Sequence, residues 1–535
     1  MPPPKGIDAL SDLPGFYFDT EKNRYFPIKG PIPGSKRRSS SSPSSSSTPS
    51  SRDADQKHQL SNACRRKRMK SSELLHVREI HGSVLFSNKC RYNFRKEYQK
   101  VQASQPVVWK YRRTKSLADS AIEQLHGVVQ TPNGTRDTKF LTTGSTNGII
   151  SLFEIGNVLG NLDTVTESLP EPVWSSAVKH KALLNSALGS IWCTEAFSSL
   201  PSNISSIKRC GSRFPDPANA NLSFQQALVT TLGSGVSSGS LYLLNLGEPL
   251  DFAVSLHSRI SNIASFDCTV WTADCNSSGT QAVIGTNFGS VLVNLETRAA
   301  SWLYHCKSDI FSLQFVQSGN VVLCGLRNGA IVSIDMRQKQ PGYSDHSFGR
   351  PLPGRPNAHR TFSLSQGMVN RPGKQRIQIN RKLNTSNIVF MPSAVCSLVS
   401  LLSDEHYFLG SSMDGSIKLF DRRLLQRGAL QSYEGHVNSH THLQLAVNPA
   451  ETLLLSGGED HMVRIWSINN SELIFAENVA NSIFSTVCWP QSSNDLGFQG
   501  LLKQPDIYSV SPFELSQSWG AWLGSQDGLF YMHGT

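Results

Sequence analysis

Two short stretches end in the same arrangement of charges. Residues 329–337 read GAIVSIDMR and residues 415–423 read GSIKLFDRR; each is an alternating apolar run that closes on Asp-x-Arg, as Asp335 with Arg337 and Asp421 with Arg423. Side chains two apart on a strand point the same way, so each aspartate can hold its arginine. One reading is a local ion pair, which at a surface contributes only about 0 to 1 kcal/mol. The other is recognition, because a guanidinium at a strand end is a planar, permanently charged fork for a partner's carboxylates.

The remaining candidates for chemistry are weaker. HVREIH, residues 76–81, sets its histidines five apart, whereas two histidines that share a metal on one helix face stand four apart. HVNSHTH, residues 436–442, supplies His436, His440 and His442 from a loop and a strand start, short of the three or four convergent ligands that zinc needs. His126 and His305 stand alone. The sequence contains no GxSxG, no Walker A loop and no GxGxxG opening a helix, and its glycine-rich turns lie between strands. The chain is therefore expected to be non-catalytic, without cofactor or metal. CRRKRMK, residues 64–70, is open to three readings: a nuclear import signal carried by Arg65, Arg66, Lys67 and Arg68, a nucleic-acid patch, or a solvated run.

The elements that must position these groups begin after a long basic tail. The net charge is +11, but residues 1–115 hold 24 Lys/Arg against 9 Asp/Glu, and residues 338–389 hold 9 basic side chains against Asp345 alone, so the remainder is acidic. A globular domain built to grip phosphate would show the opposite distribution. Residues 1–70 are predicted to be largely disordered, since the serine-rich run 39–51 has no apolar surface to offset ordering entropy. Within that tail residues 13–34 carry 5 aromatics, a density that suits docking. Over 71–104 the pattern changes: Leu74, Val77 and Ile80, with Leu75 beside them, recur at helical spacing behind Ser71 and Ser72 and predict a short helical segment. No apolar run approaches the roughly 18 to 20 residues that span a bilayer. The 10 cysteines have no paired spacing and the chain opens on MPPPKG without an apolar leader, so the expectation is a soluble, intracellular chain with reduced thiols and no membrane partner.

From there to residue 535 one pattern returns seven times. It is seen as LTTGSTNGIISLFEI from Leu141, LGSGVSSGSLYLLNL from Leu232, VIGTNFGSVLVNLET from Val283 and VLCGLRNGAIVSIDMR from Val322. The other copies are FLGSSMDGSIKLFDRR from Phe408, LLSGGEDHMVRIWSI from Leu454 and WLGSQDGLFYMHGT from Trp522. Each is an apolar run, a polar turn and a period-2 strand, which is a β-hairpin. A hairpin cannot bury both faces alone, and seven of them sharing a core by radial repetition form an all-β, seven-bladed β-propeller over residues 105–535. The turn positions, at 148, 239, 289, 329, 415, 461 and 528, are spaced widely enough before the second and fifth to require insertions in those blades, the clearer one at 338–389. Because the last hairpin ends at the last residue, the outermost strand of the last blade is expected from residues 105–114, closing the ring between the two ends of the chain.

The copies resemble WD repeats. The sixth is the closest match, with His436, Ser456, Asp460 and Trp466 where that family has its His, strand Ser/Thr, turn Asp and Trp; the resemblance implies that these four side chains hydrogen-bond in series. Apolar-x-apolar-(Trp)-Asp-x-Arg is similar to the signature of WD-repeat substrate receptors of cullin-4 RING ubiquitin ligases, with Ile334 and Phe420 in the Trp position. LPGFYFDTEKNRYFPIKGPIPGS, from Leu13, resembles the N-terminal signature of the cullin-4-associated factor type 4 branch, the WD-repeat protein 21 group.

These resemblances imply a non-catalytic substrate receptor. Asp335, Arg337, Asp421 and Arg423 would bind the adaptor damaged-DNA-binding protein 1, and through it cullin-4 and the RING subunit. The helix with Leu74, Leu75, Val77 and Ile80 is a second adaptor-docking candidate. An unnamed protein substrate would then be presented for ubiquitination, and the basic cluster implies a nuclear location with a cytoplasmic pool. The competing reading is a WD-repeat scaffold of a nuclear RNA or chromatin assembly.

Overall fold

Wherever a Gly- or Asp-containing turn reverses an alternating run, the chain pairs with itself, and the seven repeats do so alike. The computed structural model describes residues 16–19, 24–27, 94–131, 134–155, 166–175, 191–211, 225–233, 237–250, 256–316, 318–337, 387–490 and 519–534. The described residues after 93 form seven antiparallel sheets, and in five of them successive strands are neighbours. Blade 4 comprises Ile310–Phe315, Val321–Leu326, Ala330–Asp335 and Ile388–Phe390. Blade 5 comprises Val395–Ser400, Tyr407–Ser412, Ile417–Asp421 and Gln431–Tyr433. Blade 6 runs Leu445–Val447, Leu453–Gly457, Met462–Ser467 and Leu473–Asn478. With blades 1 to 3 before them and blade 7 after, the chain is a seven-bladed β-propeller.

The core lies between blades. Leu125, Phe140 and Leu152 of blade 1 pack against Val229 and Leu244 of blade 2, and Leu455 and Ile465 of blade 6 against Phe484, Phe530 and Met532 at blade 7. Fully burying a side chain of this size contributes about 1.5 to 3 kcal/mol, so each interface is held by several such terms. The turns must be tight enough to let the blades approach. Gly415, in the turn before the third strand of blade 5, has φ +82°, and a Cβ there would lie 2.7 Å from the carbonyl oxygen of His436. Glycine is the residue that meets both conditions.

Blade 7 closes the ring as the hairpin count requires. Its strands Thr486–Cys488, Gly520–Ser525 and Gly528–Gly534 are completed by Pro106–Tyr111, whose Pro106 pairs with Gly534 and Lys110 with Phe530. That strand is not the outermost, as the sequence led us to expect. Pro170–Ser175 pairs along its other side, and the preceding Thr166–Ser168 pairs outside Ile191–Ser199, the fourth strand of blade 1. One connection therefore straddles the seam between blades 1 and 7, giving both sheets a fifth strand.

The insertions also sit differently. Residues 338–386 fall between the third and fourth strands of blade 4, not in the fifth blade, and 156–190 between the third and fourth strands of blade 1, with 211–225 linking the first two strands of blade 2. Turn positions mark only third strands, so their spacing cannot say on which side of a blade boundary the extra residues lie.

Among the described residues one α-helix is present, α1 (Phe94–Ser104), beside two short 3-10 helices, Leu256–Arg259 and Arg422–Arg427. Helix α1 lies C-terminal to Leu74, Leu75, Val77 and Ile80, which fall outside the described residues together with Arg65, Arg66, Lys67 and Arg68. In the separate N-terminal unit the aromatic segment holds a two-stranded hairpin, Phe16–Asp19 with Arg24–Pro27, pairing Tyr17 with Phe26 and Asp19 with Arg24.

Candidate functional site

The two Asp-x-Arg motifs occupy equivalent places on adjacent blades. Asp335 closes the third strand of blade 4 opposite Val321, and Asp421 closes that of blade 5 opposite Tyr407. Val321 and Tyr407 are the residues at which the second strands begin. Both motifs thus lie on the face of the propeller where the innermost strands end.

The side-chain geometry repeats closely. Asp335 Oδ1 accepts from the backbone N–H and the Nε of Arg337, each at 3.0 Å, and its Oδ2 accepts from Nη2 at 2.8 Å. Asp421 accepts from the same three donors of Arg423 at 2.8, 3.1 and 2.9 Å. The arginine side chains are 68 % and 53 % exposed, above aspartates that are 20 % and 5 % exposed. Hydrogen bonds from Arg337 hold the Asp335 carboxyl below the usual range. Those from Arg423 do the same for Asp421 against an opposing contribution from burial. At such exposure each pair adds little to stability. What the pair fixes is orientation: an exposed side chain that otherwise carries large rotamer entropy is held in one conformation.

This amends the sequence reading in one respect. The Nε and Nη2 side of each guanidinium is taken by its own aspartate, so only the three remaining side-chain N–H groups of the five are left to an incoming acceptor. The local-pair reading is realised at both strand ends, and the pair leaves the outer edge of each guanidinium turned away from its own aspartate.

Helix α1 joins this face. Thr452 Oγ1, in the turn after the innermost strand of blade 6, donates to Gln99 Oε1 at 3.1 Å, and Lys100 Nζ lies 3.9 Å from Glu472 in the turn after the third strand. The helix then runs directly into Pro106–Tyr111. The long first hairpin of blade 1, Ala121–Thr131 with Gly134–Gly144, extends at the same end and is tied to blade 2 by Gln130 N–H donating to Leu250 O at 2.9 Å.

The sixth repeat departs from the expected series. His436, Ser456 and Trp466 are buried, and Ser456 Oγ lies 3.3 Å from His436 Nε2. Trp466 Nε1, however, donates to the Glu434 carbonyl at 2.9 Å, and Asp460 is taken by Arg464, whose Nη1 is 2.8 Å from Oδ1. Arg464, four residues after Asp460, outcompetes a neutral imidazole for the carboxylate because its bond is charge-assisted. The histidines near this repeat do not converge: His440 is exposed beside Glu459 at 3.8 Å, while His442 Nε2 lies 3.4 Å from Phe311 O. Among the described residues no group of three or more His, Cys, Asp or Glu is arranged to hold a metal. An axial cavity of about 190 Å3 contains two carboxylates, both engaged. Glu123 meets Arg209 at 2.9 Å, and Asp274 accepts from Gln314 Nε2 at 3.2 Å and Phe315 N–H at 2.6 Å.

Residues 374–508 match the model of a family described as the DDB1- and CUL4-associated factor 4 beta-propeller domain. A relative from Bos taurus, named DDB1- and CUL4-associated factor 4, is 23 % identical over 480 residues, covering 88 % of this chain and 79 % of its own. The Homo sapiens protein of the same name is 42 % identical over 86 residues, 16 % of this chain and 17 % of that protein. A solved WD40 beta propeller domain of Doa1 is 12 % identical with a TM-score of 0.42, covering 80 % of this chain and 97 % of its own; the fold itself rests on the strand order above. By the family model and by these relatives, the chain is similar to the DDB1- and CUL4-associated factor 4 proteins, the branch that its tail segment resembles.

Proposed function

We propose that this chain is the substrate-receptor subunit of a cullin-4 RING ubiquitin ligase, docking on the adaptor damaged-DNA-binding protein 1 and itself making and breaking no bonds. The observation that carries this reading is the pair of congruent, outward-aimed arginines on adjacent blades, Arg337 on Asp335 and Arg423 on Asp421. Exposed ion pairs do not account for the same hydrogen-bond geometry at two strand ends by stability, whereas two forks on adjacent blades suit one partner surface that bears acceptors. Helix α1 on the same face supports a second contact, to which Leu74, Leu75, Val77 and Ile80 would add as the second adaptor-docking candidate. The substrate would be presented away from this face, and Arg65, Arg66, Lys67 and Arg68 would direct the chain to the nucleus.

The test is a titration of the adaptor against the full chain and its Arg337→Ala/Arg423→Ala variant. Loss of about 100-fold or more in affinity at unchanged thermal stability is expected if both are central contacts, and reversal to Asp should act more strongly. Undiminished binding refutes the assignment. The basic tail keeps a scaffold for nuclear RNA or chromatin as the second reading; there, nucleic-acid binding would fall steeply with salt and require residues 1–115 instead of the two arginines.

A further inference from the structure

Arg422 occupies the variable slot between Asp421 and Arg423, where the motif asks nothing of it. The structure gives it a distinct position: its side chain is 19 % exposed, against 53 % for Arg423. Its guanidinium lies 4.0 Å from Glu405 Oε1, and its Nε is buried with no partner among the described residues. Its backbone N–H donates to His406 O at 2.7 Å, pinning it to the turn that carries Glu405.

Glu405 reaches across the seam. Its Oε2 accepts the N–H of Ser318, 3.3 Å away, in the corresponding turn of blade 4. That turn is bonded to the other motif: Met336 N–H donates to Asn320 O at 2.8 Å, and the next residue, Val321, pairs with Asp335. A continuous path therefore runs from the Asp-x-Arg of blade 5 through Arg422, Glu405 and the blade 4 turn to the Asp-x-Arg of blade 4. After the hydrogen bonds of Arg337 itself, the charge of Arg422 also contributes to keeping the Asp335 carboxyl low, so the two motifs are electrostatically as well as mechanically adjacent.

We propose that Arg422 and Glu405 form a positioning pair that fixes the distance and angle between Arg337 and Arg423, so that one rigid partner meets both at once. The inference rests on the adaptor reading. Two contacts to one partner reinforce each other only as far as their geometry permits simultaneous engagement, and a seam that slackens spends part of the binding free energy on re-ordering. Arg422 need not touch the adaptor for this.

The experiment is adaptor titration of the full chain with Arg422→Gln and, as an independent variant of the same link, Glu405→Gln, each alone and combined with Arg337→Ala. Each single variant should weaken binding about 5- to 10-fold, and the loss should shrink to less than about 2-fold once Arg337 is gone, because a single remaining clamp has no spacing to maintain. Arg422→Lys, which keeps the charge, should retain part of the affinity. A residue that only supported the fold would reduce binding equally in both backgrounds, and a direct contact would also keep its full effect; either result overturns the proposal. Unchanged binding in Arg422→Gln, with binding lost in Arg337→Ala, overturns it while leaving the adaptor reading intact. Unchanged binding in Arg337→Ala/Arg423→Ala removes both.

Discussion

Deleting residues 525–535 should abolish soluble folding. The deletion removes the strand Gly528–Gly534, in which Leu529, Phe530 and Met532 are at most 1 % exposed, and takes away the inner partner of Pro106–Tyr111. Truncating a buried Leu or Met costs about 2 to 5 kcal/mol and a buried Phe about 3 to 5, so the three together cost about 7 to 15 kcal/mol. That is comparable to the roughly 5 to 15 kcal/mol by which native proteins exceed their unfolded states. The loss is not confined to blade 7, since Phe530 packs edge-on against Phe484 at 5.0 Å, next to the interface with blade 6. Soluble yield and a circular dichroism melt of the truncated chain provide the assay. The matched control is Met532→Leu, a volume-conserving change worth less than about 1.5 kcal/mol, which should melt cooperatively. A truncated chain that is soluble and melts as the intact chain does would refute the claim that this pairing holds the ring.

Two further outcomes follow from individual environments. Burial alone would raise the Glu459 carboxyl, but hydrogen bonds from Ser439, His440 and Thr441 hold it at about 2, below its ordinary value. A depressed folded-state pKa gives stability that is present above the unfolded value near 4.3 and is lost as pH falls toward 2. The melting-temperature deficit of Glu459→Gln should thus be full at pH 6 and shrink between pH 4.5 and 2; a deficit independent of pH contradicts the hydrogen-bond account. Burial pushes the Cys396 thiol up to about 12 and also raises Cys324 and Cys488. Iodoacetamide at pH 8 should therefore label none of the three until urea unfolds the chain, and native labelling of Cys396 within minutes would count against its burial.

What could be read from the residues was whatever depends on local alternation. The seven hairpins, the strand ends at Asp335 and Asp421 and the partner for blade 7 all follow from period-2 runs and turn chemistry, which act over ten or fifteen residues. What could not be read depends on contacts between segments distant in sequence. Pro170–Ser175 carries no apolar alternation, and nothing in PEPVWS says that it lies beside Trp109. Arg464 beside Asp460 was visible, yet only the turn geometry decides that it takes the carboxylate from the His436 series. A motif comparison of equivalent positions in two blades does not single out Arg422, because Met336 fills that slot in blade 4. Its role arises from Glu405 in a different turn, and an Arg beside the motif with an acid in the preceding turn is the one signal that could have raised it.

The strap across the seam has a consequence in time. Pro106 pairs with Gly534, but Val107 also pairs with Ser175. At about 5 to 20 residues per second of synthesis, the inner partner of this strand emerges some 20 to 90 s after it, whereas the outer partner follows within about 3 to 14 s. For most of the interval in which the ring is necessarily open, one edge of Val107, Val108 and Trp109 already has a strand to bond, so the segment that must wait longest for its final neighbour does not wait bare.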